Sequence, residues 1–428
     1  MSSKAALDFL ERHGMSPARI EPSLCAAKMR DNMERGLAGD KTALPMIPTY
    51  LKMDGAVPKG TGAIVIDAGG TNFRSALASF TAQGFQAEEL SKCSMPGIAK
   101  PATWEEFIAF VADRIMPLTG RADCIGFCFS YSADITPEID GRVIRIDKEV
   151  VVEGSAGKLV GASLLEELER RGAGKKKIVI LNDTAAVLLG GSATLDLSAY
   201  GGFIGQVSGT GTNTCCLLPA SRITKLGLTD ETKMIVNLES GLYDELPRGD
   251  FDLILDEESN NPGLKLFEKM TAGVYLGELC RLMLRAAADE GLLSPKTAEN
   301  ARNLGRIDSA VIDAWASGEQ LEDFCGSAED REFVKTLCLA VFERSARCMC
   351  TNLAAIMLLT GEGDDAEKPV CVCAEGSLVQ KGRHYRPVLE RLMKEQAAEK
   401  LKKHAVLKVG QETTLPGSAA AALLNCGV

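Results

Sequence analysis

Two segments of the chain combine a strand-like run with a tight turn of glycine, threonine and asparagine: VIDAGGTNFRSAL at residues 65–77 and GQVSGTGTNTCCL at residues 205–217. Glycine permits positive φ and adds no side chain, so successive backbone N–H groups can converge on an anion, with threonine hydroxyl groups as further donors. Together the two turns predict a site that holds a polyphosphate from both sides. Each turn taken alone is also consistent with a plain β-hairpin.

The first turn does not match other common phosphate motifs. No G-x-x-x-x-G-K-[ST] string surrounds Gly69, and residues 73–80 alternate like a strand, whereas a dinucleotide fingerprint opens a helix. Asp67 stands just before this turn. A carboxylate beside phosphate groups is repulsive unless Mg²⁺ lies between them, so Asp67 indicates a magnesium-dependent phosphate site.

A second carboxylate follows a buried apolar strand in KIVILNDT, residues 177–184. The strand ends at Leu181, and Asp183 comes two residues later. At the carboxyl end of a sheet strand a side chain projects into the crevice where α/β proteins bind ligands. There Asp183 could accept a proton from a hydroxyl group during phosphoryl transfer. The alternative is that Asp183 caps the helix predicted to begin at Thr184.

A sugar is bound by side chains that donate and accept several hydrogen bonds. The candidates in this chain are Ser130, Lys148, Asn182, Asn213, Glu239 and Glu268. Each of them, considered individually, is also consistent with an ordinary surface or cap residue.

Alternating elements must position these residues. The first fifty residues have a helical pattern, and residues 63–181 alternate strand-like and helical runs, which predicts an α/β domain with a mixed sheet. A second cycle begins at Gly201. In residues 261–291, Asn261 is a candidate cap and Pro262 fits a first turn, so a long helix is predicted there. The last residues, 416–428, are predicted to form a Gly-Ser turn and a short helix.

Composition limits the class of protein. The 428 residues, 46% of them hydrophobic, are enough for two or three domains with buried cores. The net charge of −10 argues against an extended nucleic-acid surface. No 18-residue apolar run suggests a membrane span, and the first residues lack the pattern of a signal peptide. We therefore expect a cytoplasmic protein without a nucleic-acid or membrane partner.

The cysteines do not have the spacing of a metal site. The chain has 14 cysteines and three histidines, but no paired C-x-x-C knuckles. In a cytosolic protein this pattern favours small buried thiols over zinc.

The segments, in this order, resemble the motifs of the hexokinase family of actin-like sugar kinases, in the longer eukaryotic form that includes glucokinase. The likeness extends from PTYLKMDG near Pro48 to GSAAAAL near Ser418. DAGGTNFR resembles the first phosphate motif, LNDT the catalytic motif and GTGTN the second phosphate motif. NPGLKLFEKMTAGVYLGELCRLML is the closest match of all.

The resemblance implies an α/β fold, the two-lobed actin-like ATPase (ribonuclease H-like) fold, with a mixed sheet in each lobe and a ligand cleft between them. Residues 60–181 and 417–428 would form the small lobe, and residues 1–59 and 182–416 the large lobe. Closure of the lobes over a sugar would exclude water from the reaction.

The resemblance also implies a role for each matching residue. Asp183 would be the general base on the sugar hydroxyl, and Lys148 would neutralise the phosphoryl group in transfer. The sugar would contact Ser130, Asp147, Lys148, Asn182, Asp183, Asn213, Glu239 and Glu268. ATP would lie against Asp67, Gly69, Gly70, Thr71, Asn72, Arg74, Gly209, Thr210, Gly376, Ser377 and Ser418. Asp67 would also hold Mg²⁺ through water.

Three positions depart from the family pattern. Ser132 stands where a proline is expected, Asp147 replaces a threonine before Lys148, and Pro416 replaces an aspartate in the last glycine motif. The first two bear on which sugar is bound, because Asp147 would put a carboxylate in place of a hydroxyl group. The third bears on contacts near the nucleotide.

The expected activity is ATP- and Mg²⁺-dependent phosphorylation of the 6-hydroxyl group of glucose or a related hexose. A non-catalytic sugar sensor on the same scaffold and an actin-like nucleotide switch or chaperone ATPase are the alternatives. The expected partners are a small-molecule hexose and ATP, and the expected assembly is a monomer or a homodimer.

Overall fold

The computed structural model describes residues 3–146 and 150–427. The sequence predictions for Asp147 and Lys148 fall outside the described residues.

The strands are numbered in chain order and form two mixed sheets and two small ones. They are β1 Ile47–Pro48, β2 Gly62–Gly69, β3 Asn72–Thr81, β4 Gly84–Ser94, β5 Ala102–Thr103, β6 Cys124–Phe129, β7 Ser132–Ile135, β8 Gly141–Arg145, β9 Val152–Glu153, β10 Lys177–Leu181, β11 Gly202–Ser208, β12 Thr212–Pro219, β13 Lys233–Asn237, β14 Val370–Glu375 and β15 Ala405–Val409.

The α-helices are numbered in the same way. They are α1 Lys4–Arg12, α2 Pro22–Ala38, α3 Trp104–Ile115, α4 Val160–Arg170, α5 Asp183–Ser192, α6 Asp250–Glu257, α7 Leu266–Thr271, α8 Gly273–Asp289, α9 Pro295–Asn303, α10 Ser309–Ala316, α11 Ala328–Thr360, α12 Ser377–Lys381, α13 Arg386–Leu392 and α14 Thr414–Asn425. A π-helical segment, Met393–Lys400, continues α13.

The two large sheets repeat one topology. The first has the order β10-β6-β2-β3-β4, and the second has the order β15-β14-β11-β12-β13 with β1 added at its edge. In each sheet an antiparallel run of three strands is joined to two parallel strands. The second cycle predicted from Gly201 is therefore a structural repeat of the first.

Helices cover both sheets and divide the molecule into two lobes. Helices α3 and α4 pack on the first sheet around a core that includes Ile64, Phe107 and Leu164, and this unit is called the small lobe. Most of the remaining helices pack around the second sheet, and this unit is called the large lobe. Its core includes Phe9 of α1 and Met33 of α2, so the helical first fifty residues belong with the second sheet.

Helices α5 and α14 lie between the two sheets and pack against each other. A shared apolar core joins Val65 of the small-lobe sheet, Ala186 of α5, Ala420 of α14 and Cys373 of the large-lobe sheet. The closest approach is at Gly417, where an added Cβ would overlap the backbone of Ala186. Glycine is therefore required at this crossing by close packing of two helix backbones.

That packing explains a wrong prediction near the C-terminus. Residues 416–418 do not form a turn before a helix, because α14 already begins at Thr414 and runs through them. Pro416 is tolerated in the first turn, where its missing N–H would have no partner within the helix.

The long helix predicted over residues 261–291 is also interrupted. Helix α7 starts only at Leu266, after Lys265 in the left-handed region at φ 55°. Ala272 is extended and separates α7 from α8. The interruption lets Gly273 N donate a hydrogen bond to Gly209 O at 2.8 Å. At that break, a backbone contact with the second glycine turn outweighs local helix propensity. Asn261 caps no helix, because the chain turns through Lys265 before α7 begins.

The fourteen cysteines are free thiols, and all except Cys25 and Cys93 are buried. The expectation of small buried thiols is confirmed at those twelve positions. Among the described residues, no helix combines the length and apolar character needed to cross a membrane.

Candidate active site

The first glycine turn is a hairpin between β2 and β3. Gly69 pairs with Asn72, so Gly70 and Thr71 form the turn, and Gly70 has φ 60°. Tyr131 donates its hydroxyl hydrogen bond to Gly70 O at 2.9 Å. A Cβ added to Gly69 would lie 3.2 Å from Ser130 Oγ. The predicted sugar residue Ser130 is thus placed directly beside the predicted phosphate turn.

Three parallel strands bring the candidate catalytic groups to one edge of the small-lobe sheet. Leu181 of β10 pairs with Cys128 of β6, which in turn pairs with Asp67 of β2. Asp183 and Ser130 each come two residues after this paired row, so both lie just beyond Asp67 at the carboxyl end of the sheet. Carboxyl ends of parallel strands are where α/β proteins bind ligands.

Asp67 lies at this end of the sheet among several charged side chains. Its Oδ2 atom accepts hydrogen bonds from Arg74 Nε at 2.9 Å and from an Arg74 terminal nitrogen at 2.7 Å. Burial raises the pKa of Asp67, Arg74 partly offsets this, and the carboxylates of Asp183 and Glu375 raise the pKa further. Three carboxylates and one guanidinium therefore share this end of the cleft, which leaves an excess of negative charge.

Asp183 is not the cap of its helix, in contrast to the alternative drawn from its sequence. Asn182 is the N-cap of α5, and its side chain accepts a hydrogen bond from Ala185 N at 3.0 Å. Asp183 accepts a hydrogen bond from the Thr184 hydroxyl at 3.2 Å. Because Asn182 satisfies the helix terminus, the Asp183 carboxylate is not used as a cap.

The large lobe contributes a cluster of amide and carboxylate groups. Asn237 Nδ2 donates to Glu239 Oε1 at 2.7 Å, and Asn213 Nδ2 donates to Asn237 Oδ1 at 2.8 Å. Burial raises the pKa of Glu239, hydrogen bonding by Asn237 lowers it in part, and Asp183 and Glu268 raise it further. The Asp183 carboxylate is therefore one of the negative charges near both Asp67 and Glu239.

Glu268, on α7, contacts the second glycine turn. Its Oε2 atom accepts a hydrogen bond from Thr212 N at 3.2 Å, and Lys265 Nζ lies 3.4 Å from its Oε1 atom. It also lies against Gly211, where an added Cβ would be 3.1 Å from Glu268 Oε2. The carboxylate therefore fixes one side of the second hairpin while remaining partly exposed.

The predicted nucleotide residues of the large lobe meet at the other side of this hairpin. An added Cβ at Gly209 would lie 3.2 Å from Ser377 N and 3.2 Å from Gly376 Cα. Gly376 has φ 121°, a conformation that favours glycine. Thr210 and Ser377 are exposed at the tips of the two turns. Gly209, Thr210, Gly376 and Ser377 are therefore brought together.

Ser418 is the exception among the predicted nucleotide residues. It is fully buried, and its hydroxyl donates to Thr414 O at 2.9 Å within α14. Its backbone packs against Gly126 of the small-lobe sheet. The side chain is thus not placed to contact a nucleotide, because α14 has turned it into the core between the lobes.

Three further residues at the site were not identified as candidates from the sequence. Asn237 and Tyr131 make the contacts described above, and Glu375 accepts hydrogen bonds from Thr413 N at 2.9 Å and from the Thr413 hydroxyl. Asn237 also lines one small cavity with Asn182. The signal that could have identified them is nearness in the sequence, because each lies within two residues of a predicted site residue.

The carboxylates at this site fit a Mg²⁺ ion whose remaining ligands are water and substrate phosphates. Among the described residues, no group of three or more histidine, cysteine, aspartate or glutamate side chains could hold a metal by itself. Mg²⁺ normally keeps several waters and takes one or two carboxylates together with substrate phosphates. Asp67, at 9% exposure beside the first glycine turn and with further carboxylates nearby, suits that mode of binding.

Comparison with known proteins agrees with this arrangement. Two hexokinase family models match residues 9–193 and 203–424. The chain is 30% identical over 412 residues to hexokinase-2 of Candida albicans, which covers 86% of this chain and 82% of that protein.

Solved structures share the fold. The Schistosoma mansoni hexokinase complexed with glucose has a TM-score of 0.77 at 20% identity and covers 98% of both chains. A ROK family glucokinase from Streptomyces griseus, in complex with glucose and AMPPNP, has a TM-score of 0.51 at 15% identity and covers 84% of this chain and 98% of that chain. The predicted two-lobed α/β fold with a mixed sheet in each lobe is confirmed, and the chain belongs to the hexokinase family of sugar kinases.

Proposed function

We propose that this enzyme transfers the γ-phosphoryl group of ATP to the 6-hydroxyl group of glucose or a closely related hexose. The observation that carries the proposal is the position of Asp183. It follows β10 at the end of the sheet that carries Asp67 and the first glycine turn, and its neighbour Asn182 lines a cavity with Asn237 of the large-lobe amide cluster. A base between a phosphate site and a sugar site is what this reaction requires.

In the proposed reaction the Asp183 carboxylate accepts the proton of the 6-hydroxyl group as the oxygen attacks phosphorus. The new O–P bond forms on the sugar, the bond to the ADP oxygen breaks, and the proton remains on Asp183 until it is released. The Thr184 hydroxyl holds one oxygen of Asp183, so that the carboxylate keeps a fixed direction.

The sugar is positioned by groups from both lobes. Asn182, Asn213, Glu239 and Glu268 of the large lobe and Ser130 of the small lobe offer donors and acceptors to the sugar hydroxyl groups. Glu239 is already hydrogen bonded to Asn237, so its carboxylate is oriented before the sugar enters. This preorganisation lowers the entropy cost of binding.

The phosphates of ATP would lie against the two glycine hairpins, whose N–H groups and threonine hydroxyl groups are donors. Arg74, held by Asp67, adds a positive charge at the first hairpin. Mg²⁺, when bound near Asp67, would neutralise phosphate charge and orient the phosphates. Gly376 and Ser377 are proposed to face the adenosine.

We also propose the boundaries of the moving units. The small lobe comprises residues 60–181 and 417–428, and the large lobe comprises residues 1–59 and 182–416. The crossing of α5 and α14 is the contact about which the lobes close, and closure removes water that would otherwise receive the phosphoryl group. The cytoplasmic location and the monomeric or dimeric state stay predictions.

A coupled ADP-release assay on a panel of hexoses tests the proposed function. D-glucose, D-mannose, D-fructose, D-glucosamine and N-acetyl-D-glucosamine are compared, and the product is analysed for the phosphorylated position. We expect turnover that requires sugar, ATP and Mg²⁺, with 6-phosphate as product. Sugar binding without turnover of any hexose would contradict the proposal and identify a sensor, and ATP hydrolysis independent of sugar would indicate a nucleotide switch.

A further inference from the structure

The large-lobe sheet carries an unusual layer of polar side chains behind the second glycine hairpin. Gln206 of β11 pairs with Thr214 of β12, and Ser208 pairs with Thr212, so all four side chains share one face of the sheet. Their exposures are 0%, 0%, 1% and 4%, respectively. At this depth, facing α7 and α11, apolar side chains would ordinarily fill the core.

Hydrogen bonds connect this layer to the helices packed on it. Gln206 Nε2 donates to Ser208 Oγ at 2.8 Å, and Asn352 Nδ2 of α11 donates to Thr214 Oγ1 at 2.9 Å. Asn352 is fully buried. One end of the layer is therefore anchored to the longest helix of the large lobe.

The other end of the layer is anchored to the helix that carries Glu268. Thr271 Oγ1 of α7 lies 3.1 Å from Thr212 Oγ1, and Ser345 Oγ of α11 donates to Thr271 O at 2.9 Å. These contacts connect the second hairpin to α7 and α11, and the residues that make them are named the polar layer.

Two amide oxygens of the polar layer, Gln206 Oε1 and Asn352 Oδ1, are buried without a hydrogen-bond partner among the described residues. The Tyr385 hydroxyl group lies beside Ser208 and Ser345. Burial raises the pKa of Tyr385, and hydrogen bonding to these two serines offsets this in part.

The unpaired atoms lie on neighbouring members of the polar layer. Gln206 faces Thr214, to which Asn352 is bonded, and it also donates to Ser208, beside which Tyr385 lies. Buried polar groups in folded proteins are almost always paired with protein or with ordered water. Two acceptors and one hydroxyl on adjacent residues provide the two to four partners that a buried water takes.

We propose that the polar layer is a binding site for ordered water, and that Gln206, Asn352 and Tyr385 act through it as positioning residues for the second hairpin. The proposal rests on the proposed function in assigning that hairpin to the ATP phosphates. Ser208 and Thr212 flank the hairpin, and the Ser208 carbonyl oxygen packs against Gly376. Fixing Ser208 therefore fixes the phosphate turn and the proposed adenosine turn together.

Polar contacts suit this task better than apolar packing would. A hydrogen bond fixes direction as well as distance, and a fully satisfied buried network rigidifies its surroundings. The donors of the hairpin must face phosphate oxygens with little rearrangement, since preorganised donors account for much of the stabilisation in phosphoryl transfer.

The kinetic test uses two variants of similar shape, Gln206→Met and Asn352→Leu, and the double variant. Each substitution removes a hydrogen bond to the buried hydroxyl group of Ser208 or Thr214, so thermal unfolding is measured first to establish that both variants fold. We expect KM for ATP to rise roughly 3- to 10-fold, the range for one or two lost hydrogen bonds, with KM for the sugar unchanged. The two substitutions should be non-additive, because both act on the same water.

A matched pair of tyrosines separates positioning from general packing. Tyr385→Phe removes the hydroxyl group beside Ser208 at the polar layer, whereas Tyr243→Phe removes a buried hydroxyl group outside that layer, whose charged neighbours include Glu245 and Asp244. We expect a higher KM for ATP only in Tyr385→Phe. An equal response of both variants, or no response of ATP kinetics in the double variant, would overturn the positioning role.

A crystal structure at high resolution tests the water site independently of activity. We expect ordered water within hydrogen-bond distance of Gln206 Oε1 and Asn352 Oδ1 in the natural chain and its loss in the double variant. Direct pairing of the amides, or a dry layer, would overturn the site. If the natural chain phosphorylates no hexose, the proposed function fails, while titration of the variants with a non-hydrolysable ATP analogue still measures the effect on nucleotide binding.

Discussion

At the scale of single residues, the proposed reaction depends on one carboxylate that is kept available. Asp183 begins a helix, where a carboxylate is favoured by the helix dipole, yet its neighbour Asn182 accepts the capping hydrogen bond. The Asp183 carboxylate is therefore free of the capping role, at the end of the sheet that also carries Asp67. Two adjacent polar residues divide a structural task and a chemical one between them.

Substituting Asp183→Asn keeps the shape of the site and removes the proton acceptor. We expect kcat to fall by about 10² to 10⁴, the usual contribution of one general base, while sugar affinity changes little. The measurements are steady-state kinetics and calorimetric titration with the hexose. Asp123→Asn, at the opposite end of the same sheet and exposed, is the matched control, and comparable turnover in both variants would remove Asp183 from the reaction.

Glu239→Gln should separate stability from function. Burial raises the folded-state pKa of Glu239 above its ordinary value. At pH values between the unfolded-state pKa and the folded-state pKa, the folded protein therefore binds more protons than the unfolded chain, and it loses stability as pH rises through this interval. We expect the variant to unfold at a higher temperature than the natural chain at pH 7, with the difference disappearing below pH ~4, where the unfolded carboxyl group is protonated as well.

The same variant should bind sugar poorly. Hydrogen bonds to a charged group are stronger than neutral ones, so loss of the carboxylate should raise KM for the hexose roughly 10- to 100-fold with KM for ATP unchanged. Thermal unfolding from pH 4 to pH 8 and kinetics at pH 7 are the readouts. An unchanged pH profile of the unfolding temperature would contradict the assignment of Glu239 as a buried, strained carboxylate.

At the scale of elements, two helices carry the contact between the lobes. Gly417 of α14 meets the backbone of Ala186 on α5, and a Cβ at Gly190 of α5 would likewise overlap the Thr413 carbonyl. Small residues on both sides allow the helix axes to approach closely. Asp183 opens α5, so the distance between these helices sets the position of the candidate base.

Gly417→Ala tests that crossing. The added methyl group would overlap backbone atoms, which cannot rotate away, so we expect a loss of about 1–3 kcal/mol in the free energy of unfolding. Gly120→Ala, where an added Cβ meets nothing within 4 Å, is the control and should change stability by less than about 0.5 kcal/mol. Chemical denaturation of both variants measures the difference, and equal midpoints would mean that the helices separate without cost.

The same elements show which features of the fold could be predicted from sequence patterns. The two glycine turns, the strand before Asp183 and the repeat of the α/β cycle were predictable, because hairpin and strand signals are local. The break between α7 and α8 and the early start of α14 were not. Both are decided by backbone contacts with residues distant in sequence, Gly209 in the first case and Ala186 in the second.

The site shows the same division. Residues with a chemical signature, such as Asp67, Asp183 and Glu239, could be predicted from their types and motifs. Asn237 and Glu375 could not, because an asparagine or glutamate near a strand end has many ordinary uses. Their roles follow from partners on other elements, Glu239 and Asn213 for Asn237 and Thr413 for Glu375. The burial of Ser418 is likewise a consequence of how α14 packs.

At the scale of the whole molecule, the two lobes repeat one sheet topology but differ in what they contribute. The small lobe supplies Ser130, Asp67 and the first glycine hairpin, and the large lobe supplies Asp183, the Asn213–Asn237–Glu239 cluster and the second hairpin. Neither lobe contains a complete candidate site. The proposed catalysis therefore depends on the angle between the lobes, which a sugar that contacts both of them will bias.

Binding of D-glucose should close and stabilise the molecule. A ligand that binds only the folded state at 100 times its Kd adds about 2.7 kcal/mol to the free energy of unfolding, so the unfolding temperature should rise in a concentration-dependent way. If the bound sugar bridges Ser130 of the small lobe and Glu239 of the large lobe, small-angle scattering should also show a smaller radius of gyration. L-glucose, with identical composition and solution effects, is the control and should produce neither change. A rise in unfolding temperature with D-glucose at constant radius of gyration would show that the sugar binds without bringing the lobes together, and would contradict the proposed closure.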